Sequence, residues 1–303
     1  MSEGTPLLAA ELMHRLERLQ LISRARAAGL SHGERRSRQH GASTQFADYR
    51  EYAFGDDPRL VDWNVYGRSG HLFVKLFEDE ALLAVHLLVD VSRSMDWGEP
   101  NKLDAARRLA AALGYVALAR FDRLYVAPLD EDVGPTLGPL WGRDQAAKLL
   151  EGLAGWRARR ATDLGRALGG YAGSTGRRPG LAIVISDFLS PTWEDGLRAL
   201  LRRRHELAVV HLLCPEEVRP GGPGALWAGP GEELRLIDRE TGRHVEIHLD
   251  APALDAYARR FAEWAGAIER FCAHHGAAYC RVDSDATLET TCFETFRHRR
   301  VLA

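Results

Sequence analysis

The sequence predicts an α/β fold, a doubly wound and mainly parallel sheet with helices on both faces. An apolar run from Leu82 to Val89 lacks any polar alternation and ends abruptly in Asp90, the pattern of a strand buried on both faces. A second such run, Leu181 to Ser186, ends in Asp187. Helix-period and strand-length segments then alternate: helix 102–120, strand 124–129, strand 181–187, helix 193–204 and strand 207–213.

At 303 residues the chain has room for one large or two modest domains and a substantial core. A content of 46% hydrophobic and 27% charged residues is that of a soluble globular protein, and the net charge of −2 gives no pull toward nucleic acid or an anionic membrane. Arginine clusters at 35–36, 157–160, 202–204 and 297–300 are offset by acids and read as solvated faces. Cys214, Cys272, Cys280 and Cys292 show no C-x-x-C pairing and no secretory signal precedes them, so reduced thiols in a cytoplasmic protein are expected. No apolar run approaches the roughly 18 residues of a membrane span.

Two regions are expected: an N-terminal extension over residues 1–80 and an α/β domain over 81–303 with a hairpin inserted at about 215–250. Residues 7–28 predict an amphipathic helix, with Leu8, Leu12, Leu16, Leu19 and Ile22 on one face, stopped at Gly29. That face either docks a partner or packs on its own domain. A polar, basic loop over 31–43 follows. Gly55-Asp56-Asp57-Pro58 is a turn, with Asp57 an N-cap and Pro58 at the first helical position, and Asp62-Trp63 sits in a short helical turn. Arg50, Arg59 and Arg68 are placed to face Asp56, Asp57 and Asp62 in a paired network; a catalytic carboxylate pair is the alternative reading. Residues 71–77 alternate as a strand leading to the Asp90 strand.

Val133 to Leu140 suits an edge strand, and helices over 143–156 and 163–172 flank a loop carrying Arg157 to Arg160 and Thr162. Gly- and Pro-rich residues 215–232 break the pattern before strands 234–238 and 244–249 form the hairpin. A helix over 252–274, a strand over 278–282 and a helix over 286–298 close the chain.

The chemistry concentrates in Asp90-Val-Ser92-Arg-Ser94. Oxygen side chains just past the carboxyl end of a buried strand fall where open α/β sheets keep their ligand sites. With Thr162 on its loop and Asp187 at the second strand tip, they make an all-oxygen set carrying two carboxylates. That set suits Mg2+ or Mn2+ rather than zinc or copper. Each piece has a bland reading as an N-cap or turn. The order of strand tip, loop before a helix and second strand tip favours a shared cation.

Asp90-x-Ser92-x-Ser94, the loop Thr162 and the strand-end Asp187 resemble the metal-ion-dependent adhesion site of von Willebrand factor A domains. The resemblance implies Ser92, Ser94 and Thr162 as direct ligands, Asp90 and Asp187 as direct or water-mediated ones, and a partner's acidic group in the last position. Arg50-x-Tyr52-x-x-Gly55-Asp56-Asp57-x-Arg59-x-x-Asp62-Trp63-Asn64 ahead of that motif is similar to the bacterial domain of unknown function 58 family. The similarity runs from about residue 7 to the C-terminus. It implies a divergent domain of von Willebrand factor A type associated with MoxR-type AAA+ ATPases. Many relatives carry membrane helices ahead of this region; this chain is expected to be a soluble, cytoplasmic member.

Other signals carry less. His244 and His248, if on a strand, lie about 13 Å apart and do not share an ion. Cys272, His275 and Cys280 fall on a helix end and a strand. There is no G-x-x-x-x-G-K-[ST] and no G-x-S-x-G, and no histidine shares the serine loop to act as base. The expected function is non-enzymatic: Mg2+ (or Mn2+ or Ca2+) held by the five residues grips an acidic side chain of a MoxR-type ATPase or of a client protein undergoing remodelling or maturation. The alternative is a Mg2+- or Mn2+-dependent phosphohydrolase on the same ion, with Asp96 or Asp163 as its base.

Overall fold

The computed structural model describes residues 6–24, 46–52, 61–77, 83–174, 176–218, 233–237, 242–248 and 250–303. The chain divides into two compact units, one of residues 1–24 with 83–303 and a smaller one of residues 25–82. The N-terminal segment thus belongs with the sheet unit, not with the extension in which the sequence analysis grouped it. The expected 7–28 helix is also shorter: α1 spans only Ala10–Leu16. The chain then extends, and Leu21 bridges to Leu302, with Gln20 N–H donating to the Ala303 carbonyl at 3.1 Å. Burial decides this outcome. Leu8, Leu12, Leu16, Leu19 and Leu21 all enter the main core, and a continuous helix would have turned Leu21 away from it.

In the smaller unit, β1 (Phe46–Glu51) pairs antiparallel with β2 (Phe73–Phe77). Between them lies α2 (Trp63–Ser69), whose N-cap is Asp62: its carboxylate accepts from Asn64 N–H at 2.9 Å and Val65 N–H at 3.3 Å. Gly70, at φ 70°, ends the helix in the left-handed conformation. Asp62 is therefore the cap of the short helical turn expected around Asp62-Trp63. Gly55, Asp56, Asp57 and Arg59 lie outside the described residues, as does most of the expected arginine–aspartate network.

The larger unit is built on β3 (Ala84–Asp90), every residue of which is buried. It is followed by α3 (Lys102–Ala119), β4 (Arg123–Leu129), β5 (Leu137–Leu140), α4 (Ala146–Ala154), α5 (Leu164–Gly173) and β6 (Leu181–Ser186). Next come α6 (Trp193–Arg202), β7 (Glu206–Leu213), a short α7 (Pro215–Val218), the hairpin β8 (Glu233–Ile237) and β9 (His244–His248), α8 (Ala251–His275) and β10 (Ala278–Asp283). The expected C-terminal helix is present as one continuous helical run over 288–298, in which a π-helical turn, Thr291–Thr295, sits between the α-helical turns Leu288–Thr290 and Phe296–His298.

The sheet order is β10-β7-β6-β3-β4-β5, parallel throughout except for the antiparallel edge strand β5. This is the expected doubly wound, mainly parallel sheet, with the order reversing beside β3. Its two faces alternate residue by residue: Val85, Leu87 and Val89 join the core under α3, while Leu88 joins the core under α5, α6 and α8. Two helices approach closely because they carry glycine. A Cβ on Gly114 would stand 2.7 Å from the Leu149 side chain, and one on Gly196 would stand 2.4 Å from the Leu164 carbonyl oxygen. No helix among the described residues is long and apolar enough to cross a membrane.

Candidate metal centre

Because β3 and β6 are adjacent and parallel, their carboxyl ends bring Asp90 and Asp187 to one place. Both are fully buried. The Asp90 carboxylate accepts from Ser92 N–H at 2.9 Å through Oδ1 and from Ser186 Oγ–H at 2.6 Å through Oδ2. The first bond folds the loop into an Asx turn that carries Ser92 and Ser94 past the strand end, with their hydroxyl oxygens 3.0 Å apart. Asp187 makes the matching turn, accepting from Leu189 N–H at 3.2 Å.

The Thr162 loop is held against the serine loop by backbone bonds. Arg93 N–H donates to the Arg160 carbonyl at 2.8 Å, and Arg159 N–H donates to the Val91 carbonyl at 3.3 Å. Four of the five expected residues thus sit on two adjoining strand tips, and the loop of the fifth is bonded to the first of these tips. Arg93, on the serine loop, also donates through Nε to the Arg159 carbonyl at 3.1 Å, and among the described residues neither Arg93 nor Arg159 has a carboxylate partner.

Lys102, at the first position of α3, was not among the expected residues. Its side chain is fully buried, and its ammonium donates to Asp187 Oδ2 at 2.8 Å and to Glu217 Oε1 at 2.5 Å. Glu217 in turn accepts from Cys214 N–H at 3.0 Å, and its carbonyl accepts from the Tyr257 hydroxyl at 2.6 Å. Ser186 also went unassigned, read only as part of a turn.

Charge is unevenly balanced. Burial pulls the Lys102 ammonium down, but Asp187 and Glu217 outweigh it and leave it above the ordinary lysine value. Asp90 receives hydrogen bonds only from neutral donors, and burial with the charge of Asp187 pushes it up to about 7. His211, whose Nδ1 lies 2.8 Å from the Tyr279 hydroxyl, is pushed down to about 4 by burial despite Asp187 nearby, so it is neutral at pH 7.

The donors fit a hard cation. Two serine hydroxyls, a threonine on the bonded loop and a buried carboxylate lacking a cationic partner are oxygen ligands of the kind Mg2+ takes. Among the described residues no group of three or more histidine, cysteine, aspartate or glutamate side chains is assembled for a metal, so a zinc-type cluster at Cys272, His275 and Cys280 does not form. His244 and His248 lie on β9, opposite Ile237 and Glu233 at the two ends of the ladder. The carboxylates considered as bases are engaged: Asp163 accepts from Thr192 Oγ–H at 2.6 Å and from Arg166 N–H at 3.0 Å, which holds it below the usual range. Asp96 accepts from the Asn101 amide at 2.9 Å.

Fold and site define an α/β domain with an oxygen-lined centre at the carboxyl edge of its sheet. Residues 48–264 match the family described as Protein of unknown function DUF58, and the chain belongs to that family. An uncharacterized protein of Mycobacterium tuberculosis is 29% identical over 98% of this chain and 92% of its own length. A second uncharacterized protein, from Mycobacterium avium, is 32% identical over 42% of this chain and 72% of its own. Among solved structures, the conserved hypothetical protein BatB from Bacteroides thetaiotaomicron aligns at 20% identity and a TM-score of 0.39, over 66% of this chain and 90% of that one. An aerotolerance-related membrane protein from Bacteroides fragilis aligns at 19% identity and a TM-score of 0.40, over 66% and 92%.

Proposed function

We propose that this chain is a non-enzymatic protein-binding module whose grip on a partner depends on a divalent cation, Mg2+ in the first instance and Mn2+ or Ca2+ by the same oxygen chemistry. Ser92, Ser94 and Thr162 would hold the ion directly, with Asp90 direct or through water. Asp187, already bonded to Lys102, would act through water. The ion, when bound, supplies a coordination position for a carboxylate from the partner. Arg93 and Arg159, without acids of their own, attract that acidic side chain and exclude a basic one.

One observation carries the reading: Asp90 is wholly buried with only neutral donors, while the buried Lys102 ammonium is spent on Asp187 and Glu217. A buried carboxylate in that position calls for a cation. The hydrogen bonds accepted by Asp163 and Asp96 weigh against a phosphohydrolase that would use either as base on the same ion. Family membership suggests a MoxR-type AAA+ ATPase, or a client protein remodelled or matured with it, as the acidic partner in the cytoplasm.

Calorimetric titration of Mg2+ into the chain and into Asp90→Ala tests the centre, and pull-down of a MoxR-type ATPase with and without chelator tests the partner. Saturable binding lost in the variant, and a chelator-sensitive complex, are the expected results. Equal Mg2+ binding by both proteins, or a complex indifferent to chelator, would overturn the proposal.

A further inference from the structure

A second polar cluster lies at the opposite, amino-terminal edge of the same sheet, where α5 leads into β6 and α6 leads into β7. It surrounds a cavity of about 310 Å³ lined by Tyr171, Ser174, Arg177, Pro179, Arg203 and His205, among others. That volume is at the lower end of the range for small-molecule sites, which begins at about 300 Å³. None of its lining residues is acidic.

The cavity floor is a fixed arrangement of rings. His86, fully buried in the middle of β3, stacks on Tyr125 with centroids 5.0 Å apart and meets His205 edge-on at 4.6 Å. His86 Nε2 lies 3.1 Å from the Arg178 carbonyl, which can only accept, so Nε2 carries the proton. Nδ1 then accepts from the Tyr171 hydroxyl at 2.7 Å. His205 Nδ1 accepts from Gly180 N–H at 3.4 Å, which places the His205 proton on Nε2 as a donor. Burial holds both imidazoles neutral, and Arg177 adds to the effect on each.

Arg177 is incompletely used. Its guanidinium lies over the Tyr171 ring at 4.4 Å and donates through Nη2 to Thr136 Oγ at 3.1 Å, while Nη1 is buried with no acceptor. Arg203 has no carboxylate partner among the described residues. Donors from two separate connections therefore surround one cavity: the Arg177 guanidinium before β6, and the Arg203 guanidinium and His205 Nε2–H before β7. Among the described residues no acid lines the cavity. A buried guanidinium nitrogen left without an acceptor is a costly arrangement that an oxyanion would relieve.

We propose that this cavity binds a phosphate-class oxyanion, held by Arg177, Arg203 and the Nε2–H of His205. Two guanidinium charges match a doubly charged group, and three donors from different directions suit a tetrahedral oxyanion better than a planar carboxylate. The proposal is independent of the metal centre, which stands at the other edge of the sheet.

Calorimetric titration of the full chain with inorganic phosphate, and separately with a nucleoside monophosphate, tests it at constant ionic strength. Saturable binding is expected, weakened about tenfold or more by Arg177→Gln and by Arg203→Gln and unchanged by Asp90→Asn. Tighter binding of the ester assigns the site to a small phosphate ester, and equal binding assigns it to the free ion. Arg203→Gln lacks the ring contact of Arg177, so it keeps the test valid if Arg177→Gln folds poorly. Absence of saturable binding by both probes, or equal affinity in the wild type and Arg203→Gln, would overturn the proposal.

Discussion

Replacing Asp90 by asparagine should stabilise the metal-free protein while abolishing its response to Mg2+. The carboxyl of Asp90 is pushed from an ordinary 3.8 up to about 7 by burial and by Asp187. In chelator, the folded chain therefore keeps a proton that the unfolded chain releases near pH 4. Across the window from about pH 4 to 7 the folded state binds the extra proton, so the contribution of Asp90 to stability falls as pH rises and is fully unfavourable above 7. About three pKa units at about 1.4 kcal/mol each set a ceiling on the order of 4 kcal/mol. Asparagine keeps an acceptor for Ser92 N–H and can turn its amide toward the Ser186 hydroxyl, so most of that penalty should be recovered. Urea unfolding with EDTA at pH 8 should show Asp90→Asn more stable than wild type by about 2–4 kcal/mol, with the advantage shrinking toward pH 4. With Mg2+ at about a hundred times its Kd, the wild type should gain about 2.7 kcal/mol and the variant almost nothing. A variant less stable than wild type at pH 8 in chelator, or one that keeps the Mg2+ gain, would refute the charge argument.

Lys102→Met leaves the buried Asp187 and the half-buried Glu217 without their ammonium. It should cost about 3–5 kcal/mol in chelator, with more of the loss restored by Mg2+ than the wild type gains; an unchanged urea midpoint would contradict the ion pairing. Gly196→Ala would press a Cβ to within 2.4 Å of the Leu164 carbonyl and force α5 and α6 apart, lowering stability by about 1–3 kcal/mol in thermal unfolding. Gly169→Ala on α5 meets nothing within 4 Å and should instead gain about 0.5–1 kcal/mol from helix propensity.

The parts of this fold legible in the sequence are those whose burial is uniform. The strands β3, β6 and β7 are apolar on both faces, so a continuous run announces them, and the parallel order follows once helices alternate with them. The candidate metal motif is legible for a related reason: oxygen side chains that interrupt an apolar run at its end have nowhere to go but the sheet's carboxyl edge. Residues 17–22 were not legible. Their leucines fit a helix as well as they fit the extended segment observed, and the choice was made by Val301 and Leu302, some 280 positions away, which offered backbone partners and a core to fill. Local pattern cannot weigh such a contact.

Lys102 is the least legible residue of the centre and the one that most alters its chemistry. Lysine directly after an asparagine N-cap reads as a solvated start to α3, and its stem could reach water from almost any exposed helix. Yet an ammonium in the first turn adds positive charge to the positive end of the helix dipole, an arrangement that costs stability unless an anion compensates. That mismatch, in a helix beginning eight residues after the candidate metal motif ends at Ser94, was the available signal. The structure supplies the compensation twice over, in Asp187 and Glu217. It follows that Asp187 is not interchangeable with Asp90: one carboxylate has a resident cation and the other has none. An incoming ion should therefore be governed by Asp90 and the hydroxyls, with Asp187→Asn weakening Mg2+ less than Asp90→Asn does.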